Sequence, residues 1–396
     1  MQLLQTRALN VRQRIAMRLQ RAMACVALLL SCGALHAQRL VLIDQDASGP
    51  GGSDQMSMMV LLQSPDVRVL GITTVSGDMW APEETQHTLR MLELIHRTDV
   101  PVVQGAVFPL VHTREEAMLD RAMDGSLVWY GAWTATKDRP YHGPFVVPPL
   151  IEGAPATKPL AEDAAHFLLR MVRAHPHQVT VYAGGPLTNI ALAISLDPEF
   201  ASLAQGIVIM GGSLDPQTSD PEFATHPRHE FNFWFDPESA HIVLRANWPS
   251  IELTTADISL KTRFTKEMVA TIAKANTPAA QYIAKYTTEY GYCWDELEAA
   301  ALVDPAIITR HEDLYVDVDL TRGPNYGDTL TWSAANKPER PVGLVHIQQD
   351  LDRARFEKLL VQLMSAAPQS LTAAPQSLTA APQSLTAAPQ SVSGVH

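Results

Sequence analysis

The stretch VLIDQDASGPGGSD, residues 41–54, ends an apolar run in Asp44 and Asp46. It then passes through three glycines and one proline, and closes on Asp54 before the apolar series MSMMVLL. Carboxylates at the carboxyl end of a buried strand are poor packing material. They suit ligation of a hard cation or activation of water. Asp46 and Asp54 together could grip one divalent ion, because calcium accepts carboxylates alongside backbone carbonyls. Asp295, in GYCWDELEAAALVDP, stands at the apparent start of an apolar helix and reads equally as a helix cap. Asp44 has the rival role of a buried anchor for turn N–H groups. One acid beside the metal must serve as general base, and the local sequence does not say which.

A second dense segment is HEFNFWFDPESA, residues 229–240. With a period of two, Glu230 and Asn232 share one side of an extended segment. A carboxylate accepts hydrogen bonds and an amide both donates and accepts, so the pair suits sugar hydroxyls. An ordinary polar surface strand is the alternative. Trp80, Trp129, Trp133 and Trp294 supply a third signal. Each offers a flat face for a nucleobase, or simply fills a core.

These residues need elements to position them. Residues 40–43, 67–75, 101–103, 179–182 and 206–212 read as strands, and residues 55–62, 85–95, 161–174 and 190–195 as helices. Alternation of this kind predicts an α/β fold: an open, mostly parallel central sheet flanked by helices. Asp44, Asp46, Asp78, Gly184 and Gly185 all fall at carboxyl ends of predicted strands, where such sheets bind ligands.

Both ends of the 396-residue chain look non-globular. Residues 1–37 carry arginines and no acid, then a short apolar run and SCGALHA, the order of a secretion signal cut after Ala37. That run is too short to span a bilayer. Export to the periplasm is the expectation, and LLSC also allows a lipid anchor on Cys32. Removal of the leader leaves Cys293 alone, which excludes an intramolecular disulfide or a cysteine-built zinc cluster. Residues 366–396 repeat AAPQSLT in register, and proline every seven residues predicts a flexible tail. Residues 38–365 remain as one catalytic domain. A net charge of −12 argues against a nucleic-acid partner.

In order along the chain, DQDASGPGGSD, ITTVSGD, AGGPLTNIALA, IVIMGG, EFNFWFDPESA and WDELEAAALVDP resemble the motifs of the calcium-dependent, inosine-uridine preferring nucleoside hydrolases. The resemblance runs from about residue 40 to 363. It implies hydrolysis of the N-glycosidic bond of a ribonucleoside to base and ribose, with Ca2+ as cofactor and a homodimer or homotetramer as the assembly. By resemblance, Asp46, Asp54, the Gly184 carbonyl and Asp295 hold calcium. Asp46 is also the base that activates calcium-bound water, and Asp44 supports the loop. Glu230 and Asn232 match residues that bind the ribose hydroxyls and the O5′ side.

The chain also departs from the family pattern. Ser53 stands where a ribose-binding Asp is usual and is expected to hydrogen-bond substrate without supplying charge, the glycine loop is longer by three residues, and a common Asn is replaced near Ala224. Trp294 occupies the place of a base-activating histidine and Asp78 that of an asparagine. Both substitutions resemble the purine-specific members, where aromatic stacking helps the base depart. Trp294 is then a catalytic stacking residue, and Trp80, Trp129 or Trp133 could supply the opposing face. Asp78 would bond the sugar or help protonate the base, and Tyr292 lies in a segment that closes over substrate in relatives. The competing reading is an exported, non-catalytic nucleoside- or sugar-binding protein, which has no need of the three acids. A metal-dependent phosphatase would need a lysine at the metal, and nothing in the sequence brings Lys261 or Lys266 there.

Overall fold

The structure is a computed structural model that describes residues 38–125, 129–135 and 139–369. The leader, with Cys32, and the repeats from residue 370 onward lie outside the described residues.

One nine-stranded sheet organises the chain. Its strands are β1 (Arg39–Gln45), β2 (Val67–Thr74), β3 (Val102–Gln104), β4 (Val179–Ala183), β5 (Gly206–Met210), β6 (Ile251–Thr254), β7 (Ile308–Val318), β8 (Thr329–Trp332) and β9 (Gly343–Leu351). Their order across the sheet is β3-β2-β1-β4-β5-β6-β9-β7-β8. All pairs from β3 to β9 are parallel, and only the β9–β7 and β7–β8 pairs are antiparallel. The expected open, mostly parallel sheet is therefore present; β6 and the antiparallel edge formed by β9, β7 and β8 add to the five strands expected from the sequence.

Burial on both faces explains the strand composition. Val41 and Ile43 of β1 enter one hydrophobic core and Leu42 enters the other. A strand covered on both sides reads as a continuous apolar run rather than an alternation. The helix Ser53–Gln63 is buried from Asp54 through Gln63. It packs against β2 and the helix Trp294–Val303, and such all-round burial requires its apolar series MSMMVLL. The helix Trp294–Val303 is likewise buried from Asp295 through Ala301.

The chain moves outward from β1 through β2 to β3, then returns to place β4 on the other side of β1. The order reverses there, and the crevice beyond the carboxyl ends of β1 and β4 is where an open α/β sheet binds its ligand. Among the described residues no helix is long and apolar enough to cross a membrane.

Candidate active site

Strand alternation sorts the acids after β1 onto different neighbours. Asp44 faces the helix Thr188–Leu196, where its Oδ1 accepts from Asn189 Nδ2 at 2.7 Å and from the Thr73 hydroxyl. Burial pushes its carboxyl up to about 7 against these bonds. Gln45 points to the opposite face. Its Nε2 donates to Asp295 Oδ2 at 3.0 Å and to Ser57 Oγ at 3.2 Å. Asp46 lies just past the strand, and its Oδ2 accepts the backbone N–H of Asp78 at 2.9 Å.

Glycine is required on both sides of Asp46. A Cβ on Gly77 would stand 2.1 Å from Asp46 Oδ2, and one on Gly185 would stand 2.7 Å from the Asp46 amide. The motifs SGD and AGGP thus earn their glycines by close approach rather than by turn geometry.

Asp54 opens the helix Ser53–Gln63, and its Oδ2 accepts from Ser48 N at 2.9 Å and Ser48 Oγ at 2.6 Å. Asp295 lies in the first turn of Trp294–Val303, and its side chain makes no cap. The helix-cap alternative is therefore set aside, and its carboxylate turns to Gln45. Its backbone carbonyl accepts from Tyr182 Oη at 3.0 Å.

Asp46, Asp54, Asp78, Gly184 and Asp295 line one cavity of about 290 Å³, together with Trp129, Met210, Glu222, Phe223, Glu230, Phe231, Asn232 and Trp294. No ammonium or guanidinium lines it among the described residues. Burial, followed by the charge of Asp78, raises Asp46 well above the usual carboxylate range. Burial and the same neighbour push Asp54 up to about 7, with the Ser48 bonds opposing. Burial and the charge of Asp54 raise Asp295 in the same direction. Among the described residues no three or more His, Cys, Asp or Glu side chains already form a metal cage. The donor chemistry nevertheless fits a hard cation, since mutually repelling carboxylates and a carbonyl supply oxygen alone.

Glu230 and Asn232 sit differently from the extended arrangement expected. Phe231–Phe235 is a short helix and Glu230 is its N-cap. The local spacing of apolar residues suggested alternation, but the capping carboxylate starts a helical turn. Glu230 Oε1 accepts from Asn232 N at 2.9 Å, and Oε2 accepts from Gly212 N at 2.9 Å and Phe233 N at 3.1 Å. Burial pushes its carboxyl up to about 7, and these three donors oppose the shift. Asn232 Nδ2 donates to Gly184 O at 3.0 Å and to Met210 O at 3.2 Å. Both side chains still reach the cavity, from a helix start rather than from a strand face.

The aromatic residues divide. Trp294 and Trp129 line the cavity. Trp129 Nε1 donates to Asp78 Oδ1 at 2.6 Å, which opposes the rise that burial imposes on the Asp78 carboxyl. Trp80 is 3% exposed, donates to His142 O at 3.0 Å and does not line the cavity. Trp133 is buried and stacks on Phe235 at 4.3 Å between centroids. Neither supplies the opposing face expected of it.

Tyr292 and Ser53 do not line the cavity either. Tyr292 packs edge-on to Trp294 at 5.1 Å and donates its hydroxyl to Asp220 Oδ2 at 3.0 Å. Ser53 Oγ donates to Glu296 Oε2 at 2.5 Å and accepts from Asp295 N at 3.3 Å. Its hydroxyl is spent on Glu296 and not offered to a sugar. Gln45, Ser48, Glu222, Phe223 and Phe231 were not foreseen: Gln45, Ser48 and Phe231 lie inside the quoted motifs but are not acids, and Glu222 and Phe223 lie outside every motif and reach the cavity through tertiary packing.

The sequence profile of the family described as inosine-uridine preferring nucleoside hydrolase matches residues 41–358. The chain is 30% identical over 278 residues to a protein of Arabidopsis thaliana named probable uridine nucleosidase 2, covering 69% of this chain and 78% of that one. Its fold is similar to that of a plant nucleoside hydrolase, with TM-score 0.65 and 24% identity over 83% of this chain and 99% of the other. It is also similar to a purine-preferring ribonucleoside hydrolase from Gardnerella vaginalis, with TM-score 0.65 and 21% identity over 83% and 98%. With its switch-point cavity and the order of its motifs, the chain belongs to the inosine-uridine preferring nucleoside hydrolase family and is a nucleoside hydrolase enzyme.

Proposed function

We propose that this chain hydrolyses purine ribonucleosides, with Asp46 as general base and Ca2+ held by Asp46, Asp54, the Gly184 carbonyl and Asp295. The observation that carries the reading is that these four groups share one cavity with Trp294 and Trp129. Calcium, when bound, would supply positive charge that offsets the crowded carboxylates and acidifies a neighbouring water.

The chain's own groups do the rest. Asp46, fixed by the Asp78 amide, takes a proton from the attacking water. Glu230 and Asn232 approach the sugar, and the surrounding carboxylates favour the positive charge that develops on it. Trp294 offers its ring to the base, and Phe223 and Phe231 line the same cavity. Asp78, held by Trp129, contacts the sugar or base. Asp44 supports the loop through Asn189.

Pyrimidine preference is the second reading, favoured by the name of the Arabidopsis thaliana relative, a probable uridine nucleosidase. Reducing-sugar release from inosine, adenosine, guanosine, uridine and cytidine, with and without a chelator, separates the two. Purine turnover that the chelator abolishes is the expected result. Uridine as the preferred substrate would favour the second reading, and no release from any nucleoside by calcium-loaded protein would sink both.

Export is part of the same proposal, with residues 1–37 as a removable leader and a periplasmic location. Acylation of Cys32 is the less favoured route, and a homodimer or homotetramer is the proposed assembly. The mass of the mature N-terminus distinguishes cleavage after Ala37 from lipidation at Cys32.

A further inference from the structure

The question this site leaves open is how the base departs. A nucleobase that leaves with its bonding electrons needs a proton on a ring nitrogen, or it departs as a poor anionic leaving group. Trp294 stands where the family resemblance would have a histidine, and an indole N–H is a hydrogen-bond donor rather than an acid at neutral pH. The proton must then come from another group in the cavity.

The acids there are not equivalent. Glu230 spends both oxygens on three backbone N–H groups. Asp78 is held by Trp129 Nε1, and Asp46 by the Asp78 amide. Asp54 is held by Ser48 and Asp295 by Gln45. Glu222 lines the same cavity, and no hydrogen bond reaches its carboxyl among the described residues.

Its position is set by its neighbours. Asp220 caps the helix Pro221–Thr225 through the Glu222 N–H at 3.1 Å, and its other oxygen accepts from Tyr292 Oη at 3.0 Å. Phe223 packs on Trp294 with ring centroids 5.9 Å apart. Two contacts thus tie the segment bearing Glu222 to the segment bearing the base-stacking ring.

We propose that Glu222 is a further catalytic residue of this enzyme, the general acid that protonates the leaving base. The inference rests on the hydrolase reading of the cavity given above. The C1′–N bond breaks and its electron pair goes to the base, while the Glu222 O–H passes its proton to a ring nitrogen. Water oxygen bonds to C1′ and its proton passes to Asp46. The base leaves neutral, ribose carries the new hydroxyl, and the proton on Asp46 returns through solvent to Glu222. Burial, reinforced by the charges of Glu230, Asp220 and Asp78, pushes the Glu222 carboxyl up to about 7, which keeps a share of it protonated near neutrality.

The test compares two leaving groups on the full chain loaded with calcium. One substrate is the nucleoside that the wild type turns over fastest. The other is p-nitrophenyl β-D-ribofuranoside, whose nitrophenolate departs without protonation. For Glu222→Gln, kcat/KM on the nucleoside should fall about 100-fold, while the nitrophenyl riboside should change by less than about threefold. Glu222→Asp, which keeps an acid, should retain more nucleoside activity than the Gln variant; if the Gln variant does not fold, Glu222→Ala takes its place in the same two-substrate comparison with the same expected split. Equal losses on both substrates would make Glu222 a wall of the cavity only, and no loss on either would also overturn the proposal. Wild type inert on every nucleoside would instead overturn the underlying reading, so the two failures are distinguishable.

Discussion

The backbone N–H of Asp78 donates to Asp46 Oδ2 at 2.9 Å, so the loop after β2 fixes the carboxylate that follows β1. The adjacent Gly77 leaves no room for a side chain against that same oxygen. Gly77→Ala should therefore displace Asp46 while leaving the sheet intact. A displacement near 1 Å costs about 100-fold in turnover, which nucleoside kinetics and a thermal melt together would read. Turnover like that of the wild type would show that Asp46 need not stay where the Asp78 amide holds it.

Trp294 should matter to turnover more than to folding. A stacking contact contributes about 0.5–1.5 kcal/mol beyond burial, so Trp294→Ala should lower purine turnover by about two- to tenfold. Its Tm should move little, because the ring faces a cavity. The same fractional loss on uridine would remove the stacking account of base preference.

Ser53 is expected to contribute to stability and not to substrate binding. Its hydroxyl joins Glu296, a buried acid whose carboxyl burial pushes up to about 8. Ser53→Ala should cost about 1 kcal/mol by denaturant titration, the usual net contribution of such a bond. KM for the preferred nucleoside should stay unchanged, and a several-fold rise in KM would return Ser53 to the sugar site.

Calcium should stabilise the fold more strongly as pH rises. Asp54 sits at about 7, and Asp46 and Asp295 lie well above the ordinary carboxylate value. A folded-state pKa raised in this way contributes stability that is full below the unfolded value and is lost as pH rises through about 7. A divalent cation favours the ionised carboxylates and offsets that loss. Calorimetry of chelated protein should show a larger calcium-induced rise in Tm at about pH 8 than at about pH 5. Equal shifts, or none, would argue against a cation among these acids.

Five strands of the parallel part, β1 to β5, were legible because they are largely buried apolar runs that lead into a glycine or an acid, whereas β6 with Glu252 and the half-exposed β9 carry no such signature. The strand read at residues 179–182 is β4, Val179–Ala183, and that at residues 67–75 is β2, Val67–Thr74. Asp46 and Asp54 share one motif, but Asp295 could be joined to them only through the family resemblance, because it lies 241 positions beyond Asp54 and Gln45 ties it to β1 across the fold. Glu230 misled because FNFWF alternates like a strand, while its carboxylate caps a helix. Trp80 and Trp133 could not be told from Trp129 and Trp294 by residue type. Only packing decides which indole faces the cavity.

The central claim is that Asp46, in the company of Asp54, Asp295 and Gly184, performs the hydrolysis. The most direct measurement is ribose release from inosine by chelated wild type and chelated Asp46→Asn, each before and after calcium is restored. The account predicts that wild type recovers with calcium. It also predicts that Asp46→Asn stays at least about 100-fold slower at every calcium concentration while its melt remains cooperative. Turnover by a folded Asp46→Asn variant at the wild-type rate would contradict it.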